Sequence, residues 1–204
     1  MGFLSPTAAV SRYRVEGRID GPLIERVREG LTRYGIDEID NAEPEKSVGW
    51  TRFEEPFHPD FGDSGFAVGD LFVFSLRIDK KAIPPKVVKK QLAMEIARRK
   101  LESGRDFLSR SEKKTIRDHV LNVLSLRIPA TPNVYDLLWR YDEGEVWFFS
   151  TQKGANEELE SLFARSFDLT LVRLFPYTLA ELGCDLSHAE RDALGGLTPS
   201  SFAE

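Results

Sequence analysis

The stretch FAVGDLFVFSLRI, residues 66–78, carries the clearest secondary-structure pattern of the chain. Its side chains fall into two alternating sets with a period of two, which is typical of a β-strand with one buried face. The first set comprises Phe72, Phe74, Leu76 and Ile78, and the second comprises Val73, Ser75 and Arg77. Residues 66–78 are therefore predicted to form a strand, and the rest of the fold is assigned outward from it.

Upstream of this strand, the sequence predicts a strand, a helix, a second strand and a loop. Residues 10–16 alternate as a strand, and Pro22 suits the first turn of a helix that Gly35 ends. Residues 47–53 are predicted to form a short strand. Residues 54–65 contain two Pro and two Gly and are predicted to form a loop.

Downstream, two helices are predicted in succession. Pro84 and Pro85 break the chain and open a helix over about residues 86–102, which carries two apolar stripes and is expected to be covered on two sides. Ser109 and Glu112 form a capping-box pattern that opens a second helix, which runs to about residue 126.

A second set of strands follows these helices. Residues 134–141 and 145–151 are predicted to be strands joined by a tight turn at Asp142-Glu143-Gly144. A helix over residues 155–166 and a strand over residues 169–175 come next. The small and polar tail beyond Leu182 is expected to be loosely ordered.

The element order predicts an α+β fold with mostly antiparallel sheets. A β-α-β-β block occupies residues 8–80 and a β-β-α-β block occupies residues 131–182. Two central basic helices lie between them in residues 81–130, and residues 183–204 form the tail. The two outer blocks mirror each other in element order, but their residues show no repeat.

Composition indicates a soluble cytoplasmic protein that does not enter membranes. The chain has 204 residues, 41% of them hydrophobic, and a single cysteine, Cys184, so no internal disulfide can form. Residues 1–10 lack the charged and apolar regions of a signal peptide. The longest apolar runs are far too short to cross a bilayer.

No catalytic or metal-binding motif stands out. The three histidines, His58, His119 and His188, have no partners at metal-ligand spacing. Residues 60–65 place two Asp beside two Gly, as in calcium loops, but lack the closing Glu of an EF-hand. The pair Glu54-Glu55 is expected by chance among 33 acidic residues. We therefore predict a protein that is not an enzyme and holds no metal or cofactor.

The distribution of charge is more informative than its total. Residues 77–127 contain 15 Lys and Arg against 6 Asp and Glu, whereas the rest of the chain contains 13 basic and 27 acidic residues. A basic block within an acidic chain gives a directed electrostatic surface. Such a block favours nucleic acid as the partner, although the net charge of −5 argues against it.

Ten basic side chains of this block are candidate nucleic-acid contacts. They are Lys80, Lys81, Lys86, Lys89, Lys90, Arg98, Arg99, Lys113, Lys114 and Arg117. The alternative is a solvated surface with ion pairs along each helix, but the local acidic residues are too few to pair with all of them. Phe107 is the one aromatic residue between Ile78 and Arg127, which favours backbone contacts over base stacking.

Several motifs follow one another along residues 10–182. They are Gly49-Trp50, AIPPKVVKKQL at 82–92, SEKKTIRDHVL at 111–121, LRIP at 126–129, LLW at 137–139 and Gly144. Their order resembles the RdgC family of recombination-associated proteins. The resemblance implies a homodimeric, nucleoid-associated protein that binds DNA without sequence specificity. Members of the family form a ring around duplex DNA and restrain RecA-dependent strand exchange.

Typical family members continue for about a further domain of roughly 100 residues. The chain is therefore expected to be a C-terminally shortened member, and whether it closes a ring stays open. Two alternatives remain: a protein-interaction module whose basic helices dock an acidic partner, and a nuclease. No arrangement of metal ligands in the sequence favours the nuclease.

Overall fold

The computed structural model describes residues 2–40, 42, 44–62 and 65–198. Seven strands and six helices lie in this part of the chain. The strands are β1 Ser11–Glu16, β2 Lys46–Thr51, β3 Ala67–Val68, β4 Leu71–Lys80, β5 Thr131–Arg140, β6 Glu145–Phe148 and β7 Thr170–Leu174. The helices are α1 Leu23–Arg33, α2 Pro85–Ser103, α3 Arg110–Arg127, α4 Lys153–Phe167, α5 Pro176–Gly183 and α6 His188–Gly195.

All seven strands join one antiparallel sheet with the order β2-β4-β5-β6-β1-β7, and β3 pairs with β4. The predicted α+β class is thereby confirmed. The sheet merges the two predicted blocks, because β4 pairs with β5 and β1 lies between β6 and β7. The turn predicted at Asp142-Glu143-Gly144 joins β5 to β6, with Arg140 opposite Glu145.

The stretch at 66–78 forms two strands rather than one. Gly69 has a φ of +64°, a left-handed conformation that glycine adopts without strain, and it turns the chain together with Asp70. Ala67 therefore pairs with Phe72 in a short hairpin, and β4 continues to Lys80. The Gly-Asp pair within the apolar run is typical of such a turn, but the alternation of the side chains around it favoured a single strand.

The main core lies between one face of the sheet and the helices α1 and α4. Trp50, Phe74, Trp139 and Phe148 are fully buried on this face, where Phe163 and Phe167 of α4 contact Trp139. The face contains the even-numbered residues of β4, as their alternation predicted. Burial of these large rings fixes the register, because a slip of one residue would move them to the opposite face.

Helices α2 and α3 form an antiparallel pair with a small core of their own. Val88, Leu92 and Ile96 of α2 pack against Ile116, Val120 and Leu124 of α3. The pair leaves the sheet between Lys80 and Thr131, which lie opposite each other at the ends of β4 and β5. We call α2, α3 and their connection, residues 85–127, the finger.

Hydrogen bonds anchor the base of the finger to the loop before β2. The Lys81 amine donates to the carbonyl oxygens of Ala42 and Ser125, at 2.6 and 2.8 Å. The backbone N–H of Ala130 donates to the Asp40 carboxylate at 2.7 Å. These contacts fix the direction in which the finger leaves the sheet.

Two helices follow β7, and the second of them, α6, lies in the tail beyond Leu182 that the sequence analysis expected to be loosely ordered. Pro176 opens α5, which contacts β7, and α6 contacts α5. Ser187 and Glu190 cap α6 with a reciprocal capping box. The Ser-x-x-Glu spacing predicts such a helix start, but the small and polar composition of the tail favoured a loosely ordered segment. None of the described helices is long and apolar enough to cross a membrane.

Candidate nucleic-acid interface

The finger concentrates positive charge on a projecting element. Residues 85–127 contain 12 Lys and Arg against 5 Asp and Glu. Six apolar side chains, three from each helix, pack in the seam between α2 and α3, and most of the charged side chains are exposed. A helix of 19 residues is about 28 Å long, so the finger presents an extended charged surface.

The two sides of the finger differ in charge. One side has a groove lined by Lys89 and Leu92 of α2 and by Arg117 and Leu121 of α3. Lys86 lies three positions before Lys89 and four before Lys90. Arg110, Lys114 and Arg117 follow one another at intervals of four and three positions. Residues at these intervals are neighbours on a helix surface, so these side chains share that side. We call Lys86, Lys89, Lys90, Arg110, Lys114 and Arg117 the basic side of the finger.

All six side chains of the basic side are exposed and, among the described residues, have no ion-pair partner. Cations that are neither buried nor paired with carboxylates remain available to an external polyanion. Five of the six were predicted contacts, and Arg110 is an addition. The positive charge of each residue is evident from the sequence, but their grouping on one side depends on the pairing of α2 with α3.

The opposite side of the finger is partly neutralised by ion pairs within α2. Its groove is lined by Met94, Glu95, Arg98, His119 and Arg127. Arg98, a predicted contact, pairs with Glu95 and lies 3.7 Å from Glu102. The hydrogen bond from Arg98 lowers the pKa of Glu95, which favours the ion pair at neutral pH.

Three other predicted contacts lie outside both grooves. Arg99 lines a pocket at the tip of the finger, where Arg105 pairs with Glu112 at 3.1 Å. Lys113 is exposed in the first turn of α3, and Lys80 is exposed at the end of β4. None of these three has an ion-pair partner among the described residues.

Lys81, a predicted contact, lies at the base of the groove on the basic side but is almost completely buried. The residue is 7% exposed, and its amine is engaged by two carbonyl oxygens at the base of the finger. Arg77, which opens the basic block, is also buried. Its guanidinium binds Asp79 through two hydrogen bonds, of 2.8 and 2.6 Å. Both cations stabilise the fold rather than face a ligand.

Exposed apolar side chains lie on the finger away from the seam. Met94 is 58%, Leu101 89% and Phe107 85% exposed. The second apolar stripe of α2 is therefore not covered within the described chain, contrary to the expectation of cover on two sides. Apolar surface of this kind is typical of a protein contact.

A profile of one protein family matches residues 9–177, which include both strand blocks and the whole finger. Its description reads "Putative exonuclease, RdgC". The chain belongs to the RdgC family. The family assignment made from the motif order is therefore confirmed. A search of curated proteins found no match.

The word exonuclease in the family description raises the question of a metal site, because nucleases commonly bind metal ions through carboxylates. Among the described residues, no three or more His, Cys, Asp and Glu side chains are grouped so that they could hold a metal ion. Of the calcium-like loop at 60–65, Asp63 and Ser64 lie outside the described residues. The Asp60 carboxylate accepts a hydrogen bond from the backbone N–H of Gly62 at 2.8 Å.

Proposed function

We propose that this RdgC-family protein binds duplex DNA without sequence specificity through the basic side of the finger. The observation that carries the proposal is the set of six exposed, unpaired cations on one side of a projecting helix pair. By clamping DNA in this way, the protein would modulate RecA-dependent strand exchange during recombination. Its place of action would be the nucleoid in the cytoplasm.

The chemistry of the basic side favours contacts with the DNA backbone. Four of its six cations are lysines, which act as mobile point charges and read no pattern of base edges. Each phosphate contact releases condensed counterions, so affinity depends on salt rather than on sequence. An acidic remainder of the chain is compatible with this role, because acidic surface elsewhere repels DNA from other parts of the molecule.

A homodimer is part of the proposal. The exposed Met94, Leu101 and Phe107 form an apolar surface on the same element that carries the cations. A second copy that covers this surface would place two fingers side by side and turn a single contact into a clamp. The buried apolar area would supply the free energy of association.

A protein-interaction module is the second candidate function. The observation that favours it is the combination of free cations and exposed apolar side chains on one finger, which also suits an acidic protein partner. In that case the chain would show no DNA binding at low salt but would form a stable complex with an acidic protein.

We further propose that the protein binds DNA without degrading it. The support is the excess of cations on the finger, where 12 Lys and Arg outnumber 5 Asp and Glu. Incubation of end-labelled duplex with the protein and Mg²⁺ or Mn²⁺ should leave its length unchanged. Degradation that is lost on substitution of one specific carboxylate would contradict this part of the proposal.

Salt titration tests the binding proposal. Six phosphate contacts predict that the logarithm of the affinity falls with the logarithm of the salt concentration with a slope of about −5. Fluorescence anisotropy on two duplexes of unrelated sequence should give the same slope and affinities within about twofold of each other. Affinity that is insensitive to salt, or no binding at low salt, would contradict the proposal.

A further inference from the structure

A second cluster of cations lies outside the finger, in a groove between α1 and the end of α4. Five arginines line this groove, which has a volume of about 870 Å³, and three carboxylates lie among them. The arginines are Arg18, Arg26, Arg28, Arg33 and Arg165, and the acids are Asp20, Glu29 and Asp168. We call this feature the arginine groove. Its positive balance contrasts with the net charge of −5 of the whole chain.

Close packing of the two helices forms the floor of the groove. Gly30 of α1 lies so near α4 that a Cβ atom would come within 2.6 Å of the Ser166 carbonyl oxygen. The Trp50 indole N–H donates to the Ser166 hydroxyl at 2.7 Å, and Phe167 is buried below. The floor is therefore closely packed, and the arginines project from the loop before α1, from α1 itself and from the end of α4.

Two guanidinium groups flank one aromatic ring in this groove. The guanidinium carbons of Arg33 and Arg165 lie over the Tyr34 ring at 5.5 and 5.9 Å from its centre. A guanidinium held over a ring keeps its flat face and most of its N–H donors available. Guanidinium planes and aromatic rings are the surfaces on which unpaired bases stack in nucleic-acid complexes.

Most of these arginines are not neutralised by the protein. Arg26 pairs with Glu29 at 3.1 Å. Among the described residues, Arg18, Arg28, Arg33 and Arg165 have no carboxylate partner. A guanidinium matches phosphate through paired N–H donors, so four free arginines form a set of phosphate contacts.

The arginine groove and the finger lie on different parts of the fold. The finger leaves the sheet where β5 begins, at Thr131. β1 runs in the same direction as β5 and ends at Glu16, beyond the end of β5, so Arg18 follows at the opposite end of the sheet. Tyr34 lies nearer to the finger, because its carbonyl oxygen accepts a hydrogen bond from the backbone N–H of Trp50 in β2. The groove and the basic side of the finger share no residue.

We propose that the arginine groove binds single-stranded nucleic acid. Bases stack on the Arg33, Tyr34 and Arg165 surface, and the neighbouring guanidiniums bind the phosphates. The inference rests on the proposed DNA binding by the finger, to which it adds a second, separate site of different specificity. The basic side of the finger has four lysines, two arginines and no stacked aromatic ring, whereas every cation of the groove is an arginine and two of them lie over Tyr34. One chain therefore holds a duplex and a single strand at two separate surfaces.

The test compares two double variants of the full chain. Arg33→Gln with Arg165→Gln removes the flanking cations, and Arg14→Gln with Arg191→Gln removes two exposed arginines elsewhere. With a labelled oligothymidine of about 16 nucleotides, the groove variant should bind at least about tenfold more weakly than the control. Binding of duplex DNA should agree between the two within about twofold.

Two further measurements separate the possible outcomes. Unlabelled duplex should fail to displace oligothymidine from the unmodified protein, and this readout needs no variant to fold. Equal oligothymidine affinity of the groove variant and the control would overturn the inference. Displacement by duplex would overturn it as well. A finger variant, Lys89→Gln with Arg117→Gln, that keeps full duplex affinity would instead contradict the proposed function.

Discussion

At the scale of single residues, the partner of each cation decides its role. Lys81 and Lys89 lie eight positions apart in the same basic block and look equivalent in the sequence. Lys81 is enclosed by the carbonyl oxygens of Ala42 and Ser125, which are 39 and 44 residues away in the chain. Local sequence carries no information on such distant partners, so this contact could not be predicted.

Replacement of Lys81 by Met should destabilise the fold. The substitution removes a charged donor and leaves two carbonyl oxygens without their partner, at a cost of about 2 kcal/mol. Urea denaturation would measure the free energy of unfolding, with Lys80→Met as a control because Lys80 is exposed. Equal stabilities of the two variants would show that the Lys81 contacts do not anchor the finger.

Glu112 should make the finger sensitive to acid. The hydrogen bonds that its carboxylate accepts from the Ser109 N–H and hydroxyl lower its pKa below the ordinary value of 4.5. A lowered pKa in the folded state means that the stabilisation is present above pH 4.5 and is lost as the pH falls through the folded-state value.

The matched variant for this prediction is Glu112→Gln, which keeps the capping box and removes the charge. Its free energy of unfolding should approach that of the unmodified protein as the pH falls from 6 toward about 3. Asp106→Asn, at an exposed carboxylate of the same finger, serves as the control for the loss of one negative charge. A constant difference for Glu112→Gln would contradict the pKa assignment.

At the scale of elements, hydrophobic periodicity predicted α2 and α3 with good boundaries, including the capping box at Ser109 and Glu112. Periodicity also found both apolar stripes of α2. It could not tell which stripe the chain itself covers, because this depends on how α3 packs. The stripe at Val88, Leu92 and Ile96 packs against α3, and the stripe at Met94 and Leu101 stays exposed.

The exposed stripe gives a prediction about assembly. Leu101→Glu with Phe107→Glu should shift the protein from dimer to monomer, because charged side chains oppose burial of this surface. Sedimentation velocity would measure the change, and Leu197→Glu is a control at an exposed apolar position in the tail. Unchanged sedimentation of the double variant would contradict dimerisation through the finger.

At the scale of the whole molecule, sequence predicted the α+β class and the element order but not the single sheet. The insertion of β1 between β6 and β7 joins residues more than 120 positions apart. Local patterns do not encode such pairings, so the two blocks looked separate. The arginine groove was also missed, because Arg18, Arg33 and Arg165 come together only when α1 packs on α4.

The charge pattern of the whole molecule leads to the central claim, which is that one side of the finger binds DNA. Two variants distinguish this claim from general electrostatic attraction, because both remove two cations from the same helices. Lys89→Gln with Arg117→Gln changes the basic side, and Arg98→Gln with Arg127→Gln changes the opposite side.

The most direct test measures duplex affinity of these two variants across a range of salt concentrations. The basic-side variant should bind about tenfold or more weakly, with a salt slope reduced by about 2, on any sequence. The opposite-side variant should keep both the affinity and the slope of the unmodified protein. Equal losses in the two variants, or no loss in either, would contradict the account.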